Sequence, residues 1–325
     1  MITLFALGGT IAMAGDRGGV VTRLSGADLT TAVPGLTTPL DVRDALAVPS
    51  AGLTYADLLR ILSDASDAVK DGAEGIVVTQ GTDTLEETAY LLDLLWPHPQ
   101  PIVVTGAMRN PTLAGIDGPA NLLAAVRVAS SPVSHDLGVL VVLNDEIHAA
   151  ARVRKTHATS TATFVSPDTG PIGAVIEGTV RMLTRPVPRL PALPWPSVDT
   201  VESTVVPLHT ATLDDDGTLL HNLASGTPAS GLVVAAFGVG HMPAALTPVL
   251  EHLAQRFPVV LCSRTGAGSV LRETYGAVGG EKDLQRRGLI NGRMVHPYKA
   301  RVLLRLLLAL GGDHGAVEAA FAARG

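Results

Sequence analysis

Short stretches that join hydroxyl residues to glycine recur in the first half of the chain. They are Gly8-Gly9-Thr10, Ser50-Ala51-Gly52, Gln80-Gly81-Thr82-Asp83-Thr84 and Gly106-Ala107-Met108, with a basic segment carrying Arg152, Arg154 and Lys155 further on. A threonine hydroxyl is a weak nucleophile until a neighbour takes its proton. Glycines beside it let the backbone approach a substrate and turn N–H groups toward a developing oxyanion. Such a set suits acyl transfer, with Thr82, Asp83 and Lys155 as a relay: a partly desolvated lysine accepts the threonine proton and the carboxylate orients it. Each part also has a plainer role. Thr82-Asp83-Thr84 would serve as the capping group of a following helix, Ser50 as a turn residue, and a lone lysine such as Lys155 is most often a solvated charge. Gly8-Gly9-Thr10-Ile11-Ala12 matches neither G-x-G-x-x-G nor G-x-x-x-x-G-K-[ST], which argues against a phosphate-binding turn.

Other chemistries lack their signatures. Ten histidines are present, yet no H-E-x-x-H or paired-cysteine spacing occurs, and His148 and His157 are too far apart for one helix face. Asp214-Asp215-Asp216-Gly217 lacks the spaced ligands and closing glutamate of a calcium loop and reads as an acidic turn. No metal and no cofactor are expected. The lone Cys262 lies in the apolar stretch 258–262 with only Arg264 near enough in sequence to polarise it, so it reads as a small core residue. Lys and Arg number 24 against 30 Asp and Glu, a net charge of -6, which is not the footprint of a nucleic-acid binder. Aromatic residues make up only 3%, too few for a base-stacking platform. The opening MITLFALGGTIA has no basic region and reads as mature protein rather than a signal peptide, and the apolar run 302–310 is interrupted by Arg305 and too short for a bilayer. A cytoplasmic protein without membrane contact is expected.

The elements that must position these residues follow from patterning. Runs at 3–7, 45–48, 75–78, 102–105 and 138–143 are short, β-rich and continuously apolar, as in strands buried on both faces of a parallel sheet. Thr54 and Asp57, then Leu58, Ile61, Leu62, Ala65 and Val69, predict a capped amphipathic helix. Thr84 and Glu87 repeat the capping pattern ahead of Leu85, Ala89, Leu92 and Trp96, a helix stopped by Pro97. This alternation argues for an α/β fold with right-handed crossovers. Five prolines in eleven residues (Pro186, Pro188, Pro191, Pro194, Pro196) mark a linker, beyond which strands at 232–237 and 259–262 and a final helix at 299–309 resume the pattern. The expected division is an N-terminal domain at 1–185 with most of the active site, a Pro-rich linker at 186–204 and a smaller C-terminal α/β domain at 205–325, both sheets mostly parallel. Ligands of such sheets bind at the carboxyl ends of strands, and the hydroxyl and glycine stretches all follow strand ends.

These residues carry a resemblance. Ala6-Leu7-Gly8-Gly9-Thr10-Ile11-Ala12 resembles the first threonine signature of bacterial-type L-asparaginases, and Gln80-Gly81-Thr82-Asp83-Thr84-Leu85-Glu86-Glu87-Thr88-Ala89 resembles the second. Similarity continues at Val104-Thr105-Gly106-Ala107-Met108-Arg109, Asp117-Gly118-Pro119-Ala120-Asn121-Leu122, Gly138 through Asn144-Asp145, Arg154-Lys155-Thr156, Gly170-Pro171-Ile172-Gly173, Gly238-Val239-Gly240 and Lys299-Ala300-Arg301, nearly the whole chain. The resemblance implies hydrolysis of L-asparagine to L-aspartate and ammonia, with weaker L-glutaminase activity. It implies Thr10 as the nucleophile that forms an acyl-enzyme ester, and Thr82 with Lys155 and Asp83 as the group that activates the hydrolytic water. Ser50 and Asp83 match positions that bind the substrate's α-carboxylate and α-amino groups, and Ala107 one that meets its amide through backbone. The turns at Gly9-Thr10 and Gly81-Thr82 supply candidate oxyanion donors, and His241 and Glu273 complete the substrate-contacting set. The family is typically a homotetramer, a pair of intimate dimers whose sites borrow residues from a neighbour's C-terminal domain.

Three departures stand out. No tyrosine occurs between Met13 and Asp28, where members often carry one that helps activate the nucleophile; Tyr275, beside Glu273, is a candidate phenol from a partner subunit. Ser50 is followed by Ala51 rather than glutamine, and His241 stands where many members have asparagine. Gly15, Gly18 and Gly19 suit the intervening loop to act as a lid. Two alternatives share the fold: a glutamine-hydrolysing amidotransferase subunit, disfavoured because the chain starts at its first strand, and an amino-acid-binding sensor. A sensor is expected to have lost Thr10, Thr82 or Lys155, and all three are present.

Overall fold

The computed structural model describes residues 1–16, 19–22, 25–31, 33–186 and 189–325, those at 12–16 and 19–22 by backbone alone. Gly18 and Pro188 lie outside the described residues. Two compact units result, Met1–Leu193 and Pro194–Gly325.

In the first unit five parallel strands lie in the spatial order Leu40–Asp44, Ile2–Ala6, Gly75–Thr79, Ile102–Thr105 and Val139–Leu143. Numbered along the chain this is 2-1-3-4-5, so the order reverses between the first and third strands. At such a switch point the connections leave toward opposite faces and open a crevice at the carboxyl ends. Ala6 and Thr79 are register partners, which brings both strands to the same level, and the Leu7 N–H donates to the Thr79 carbonyl at 2.9 Å. Beyond Val139–Leu143 the sheet continues antiparallel through Glu146–Ala149, Gly173–Ile176 and Thr179–Met182.

The four inner parallel strands are buried along their whole length, as their unbroken apolar runs require. The run at 45–48 behaves differently. The strand there is Leu40–Asp44, a partly exposed edge strand alternating apolar and charged residues, and the apolar run lies past its end. Ala45 and Leu46 cross the top of the sheet, both donating to the Ala6 carbonyl.

Helix Tyr55–Lys70 opens with the reciprocal Thr54 and Asp57 capping box and buries Leu58, Ile61, Leu62 and Ala65. Helix Leu85–Leu95 starts after Thr84, but no capping bond forms: the Thr84 hydroxyl donates to the Ser50 carbonyl at 3.0 Å instead. Helix Gly118–Ala129 packs Leu122, Ala125 and Val126 with Ile2, Val77, Val103 and Leu140 of the sheet. Removing one such leucine to alanine costs about 2–5 kcal/mol.

The second unit is a four-stranded parallel sheet of Leu208–Thr210, Leu232–Ala236, Val259–Ser263 and Ile290–Asn291, lying in chain order without reversal. Helix Pro297–Ala309 supplies Val302, Leu303 and Leu306 to its buried side. Part of the span expected as linker is helix, Val198–Ser203, capped by Ser197 on the Thr200 N–H. Its Val201 is fully buried and its carbonyl accepts two bonds from Arg305, so this stretch belongs to the second unit. Among the described residues no helix is long and apolar enough to cross a membrane.

Candidate active site

The loops after Ile2–Ala6 and Gly75–Thr79 meet at the switch point. Gly8 and Gly9 have φ of +99° and +83°, conformations that side chains rarely adopt. A Cβ on Gly9 would overlap the backbone of Gly81, and one on Gly81 would lie 2.6 Å from Ser50 Oγ. A Cβ on Gly106 would stand 2.5 Å from the Gln80 carbonyl oxygen. The loops at Gly9, Gly81 and Gly106 therefore touch main chain to main chain, and Gly81 lies against the Ser50 side chain. Hydrogen bonds stitch them further: the Asp83 N–H donates to Ser50 Oγ at 3.1 Å and the Gln80 N–H to the Thr105 carbonyl at 3.1 Å.

Lys155 enters from the two-residue strand Arg154–Lys155, which pairs with Phe164–Val165. Its Nζ donates to Thr82 Oγ1 at 2.9 Å and to Asp83 Oδ1 at 3.0 Å. Thr82 is buried and the lysine side chain only 17% exposed, whereas the Asp83 carboxylate is 69% exposed. A sheltered hydroxyl and an open carboxylate thus both touch one lysine. The lysine can exchange a proton with the threonine, and Asp83 can receive a cationic group from solvent. Behind them the buried Glu86 accepts from the Lys155 N–H at 3.4 Å. Thr10 opens a single helical turn, Thr10–Ala12, and is half-buried. Ala107 is fully buried after strand Ile102–Thr105.

His241 and Glu273 both belong to the second unit. His241 Nε2 lies 3.5 Å from Glu281 Oε2, and its ring meets Tyr275 edge to face at 4.8 Å between centroids. Glu273 is 80% exposed and pairs with Lys282 at 3.3 Å. The buried carboxylate beside His241 is Glu281, which also accepts the N–H groups of Thr274 and Tyr275 at 2.9 and 2.8 Å. Burial by itself would push the Glu281 carboxyl up, but the N–H groups of Tyr275, Thr274 and its own backbone, with His241, hold it below the usual carboxylate value. Glu281 and Glu273 differ in burial, not in type, so residue type alone does not single out the carboxylate beside His241. Asp117 and Asn121, which hold the loop at Ala107, were overlooked as contributors; their spacing of four on one helix face was the available signal.

Residues Met13–Asp16 and Gly19–Thr22 of the expected lid form an antiparallel ribbon. Among the described residues no three His, Cys, Asp or Glu gather where they could hold a metal ion. Burial pushes the Cys262 thiol up, away from the reactive thiolate.

Comparison with known proteins places both units. Residues 1–188 match the family model for the N-terminal asparaginase domain, and residues 205–321 that for the glutaminase/asparaginase C-terminal domain. The chain is 36% identical over 279 residues to a probable L-asparaginase of Deinococcus radiodurans, covering 84% of this chain and 83% of that protein. It is 32% identical to L-asparaginase 2 of Escherichia coli over 98% of this chain and 92% of that one. A glutaminase-asparaginase of Acinetobacter glutaminasificans is 31% identical over 98% of both. The crystal structure of a probable cytoplasmic L-asparaginase from Campylobacter jejuni superposes with a TM-score of 0.88 at 29% identity, covering 99% of this chain and 98% of that one.

Proposed function

The chain belongs to the asparaginase family, and from that premise we propose that it hydrolyses L-asparagine to L-aspartate and ammonia, with weaker action on L-glutamine. One observation supports the assignment of roles above the rest: Lys155 Nζ in contact with both Thr82 Oγ1 and Asp83 Oδ1. In this reading Asp83 and Ser50 hold the substrate's α-amino and α-carboxylate groups, and the carbonyl of Ala107 accepts from its side-chain amide. Thr10 Oγ adds to the amide carbonyl, the N–H groups of the turns at Gly9-Thr10 and Gly81-Thr82 receive the oxyanion, and the C–N bond breaks as the hydroxyl proton leaves with ammonia. Water then adds to the threonine ester, its proton drawn off through Thr82 and Lys155 and returned to Thr10 Oγ as the ester C–O bond breaks and the acid is released. Glutamine enters as second substrate because a relative of this length is named for both activities. A sensor with a dead site is the weaker reading, since Thr10, Thr82 and Lys155 are all retained.

The oligomer and compartment follow the resemblance: a homotetramer, in which His241 and Glu273 act as substrate contacts, working in the cytoplasm like the Campylobacter jejuni protein as named. The test is ammonia release from L-asparagine and L-glutamine by the wild type, Thr10→Ala and Lys155→Met. Turnover of asparagine is expected in the wild type, with loss of about 10³-fold or more in kcat for each variant, as for a nucleophile or its proton relay. Substantial residual activity in Thr10→Ala would show that the nucleophile is misassigned.

A further inference from the structure

Ala107 carries no side-chain chemistry, so its peptide must be placed by its surroundings. Two residues of one helix do this. The Asn121 amide group donates to the Gly106 carbonyl at 2.9 Å, immediately before Ala107. The Asp117 carboxylate accepts the N–H groups of Met108 and Arg109, both at 2.9 Å, immediately after it. Asn121 Nδ2 also donates to Asp117 Oδ2 at 3.2 Å, and Asn121 Oδ1 accepts the Asn144 N–H at 2.9 Å, past the end of the neighbouring strand. The peptide is bracketed on both sides and tied to two strand ends.

The cost of the arrangement shows that it is not mere helix chemistry. Asp117 is the N-cap of helix Gly118–Ala129, a position where aspartate ordinarily accepts an N–H of its own first turn. No such bond forms; the carboxylate is turned to the loop instead. Asn121 is fully buried with each of its polar atoms satisfied. Steric walls complete the bracket, for a Cβ on Gly106 would stand 3.3 Å from Thr82 Cγ2 and one on Gly118 would meet Ile11 at 2.9 Å and Ala107 at 3.4 Å. Gly106 thus lies close against Thr82, and Gly118 fits between Ile11 and the Ala107 side chain, so neither neighbour of the peptide has room to shift.

Resting on the function proposed above, we infer that Asp117 and Asn121 are positioning residues for the Ala107 carbonyl and so set the preference for an amide over an ester at the scissile bond. A carbonyl oxygen only accepts. It rewards the N–H groups of a carboxamide and has nothing to accept from an alkoxy group. A site built around such a bond discriminates only while the acceptor is held in place.

The experiment measures kcat/KM for aspartate release from L-asparagine and from L-aspartate β-methyl ester in the wild type, Asn121→Ala and Asp117→Asn. Asparagine turnover is expected to fall by roughly 30-fold in each variant and ester turnover by about threefold or less, a drop of about tenfold in the amide-to-ester ratio. Asp117→Asn keeps the shape of the side chain and carries the test if Asn121→Ala fails to fold. Parallel losses on both substrates, or an unmoved ratio, would overturn the inference while leaving the asparaginase reading intact. A wild type that releases aspartate from neither substrate would instead sink the parent reading and this one with it.

Discussion

Gly9→Ala probes whether the two threonine loops depend on main-chain contact. Gly9 sits at φ +83°, where an L-residue is strained by about 1–2 kcal/mol. In a unit the size of Met1–Leu193 that corresponds to a fall in Tm of about 2–8 °C. The larger effect is geometric. The new Cβ would overlap Gly81 N and Cα, both backbone atoms with no rotamer to yield. Ordinary contacts begin near 3.5 Å, so the loops must part by about 1–1.5 Å. A displacement of that size at reacting groups costs about 100-fold in rate. Ammonia release from L-asparagine should therefore show kcat reduced by about two orders of magnitude in a protein that still melts cooperatively. Gly72→Ala is the control, because Gly72 has φ +101° with nothing within 4 Å of where the methyl would stand, so it bears the strain without the clash. It should lose stability and keep its rate. A Gly9→Ala enzyme within about threefold of wild-type kcat would refute the claim that this contact sets the site.

Two further perturbations follow from hydrogen bonds and charge. Thr84→Val removes the donor to the Ser50 carbonyl and should raise KM for L-asparagine by about tenfold with little change in kcat, since the bond holds a binding residue; Thr84→Ser should restore it, and steady-state kinetics on both variants decide. Glu281 and Asp283 are both held below their ordinary values of 4.5 and 3.8, Asp283 because Arg287 and the Gly279 N–H outweigh burial. Lowered folded values mean that their stabilisation is complete above those ordinary values and is lost as pH falls through the lower folded ones. Chemical denaturation of wild type and Glu281→Gln below about pH 4 should give a shallower pH slope in the variant; identical slopes would exclude Glu281 from the acid response.

Much of the first unit was legible because burial on both faces leaves a plain trace. The run at 102–105 is the strand Ile102–Thr105 residue for residue. The run at 45–48 misled because an edge strand need not be continuously apolar: Asp41 and Arg43 sit in the strand, while the apolar residues after it only cap the sheet. Thr84 and Glu87 have the composition of a capping box, yet a carbonyl brought in by tertiary structure competes for the same hydroxyl. Residue chemistry alone left the meeting of Thr82, Asp83 and Lys155 open beside a helix cap and a solvated charge; the resemblance implied the grouping, and the bonds from Lys155 Nζ bring the three together. Asp117 and Asn121 left only their spacing of four as a signal and Glu281 none, because each acts on backbone atoms that no residue type announces.

The position of the first strand has a consequence for how the protein comes into being. Ile2–Ala6 lies between Leu40–Asp44 and Gly75–Thr79, so this strand is paired on both sides by segments that follow it in the chain and are made after it. Closing such distant pairings is slow relative to helix formation, since the loop entropy must be met before contacts repay it. Until both pairings close, the two threonine-bearing loops are merely parts of a chain. Hydrolytic competence is therefore a property that arrives with completed topology, and a nascent or partly unfolded molecule carries the chemical groups without the power to use them.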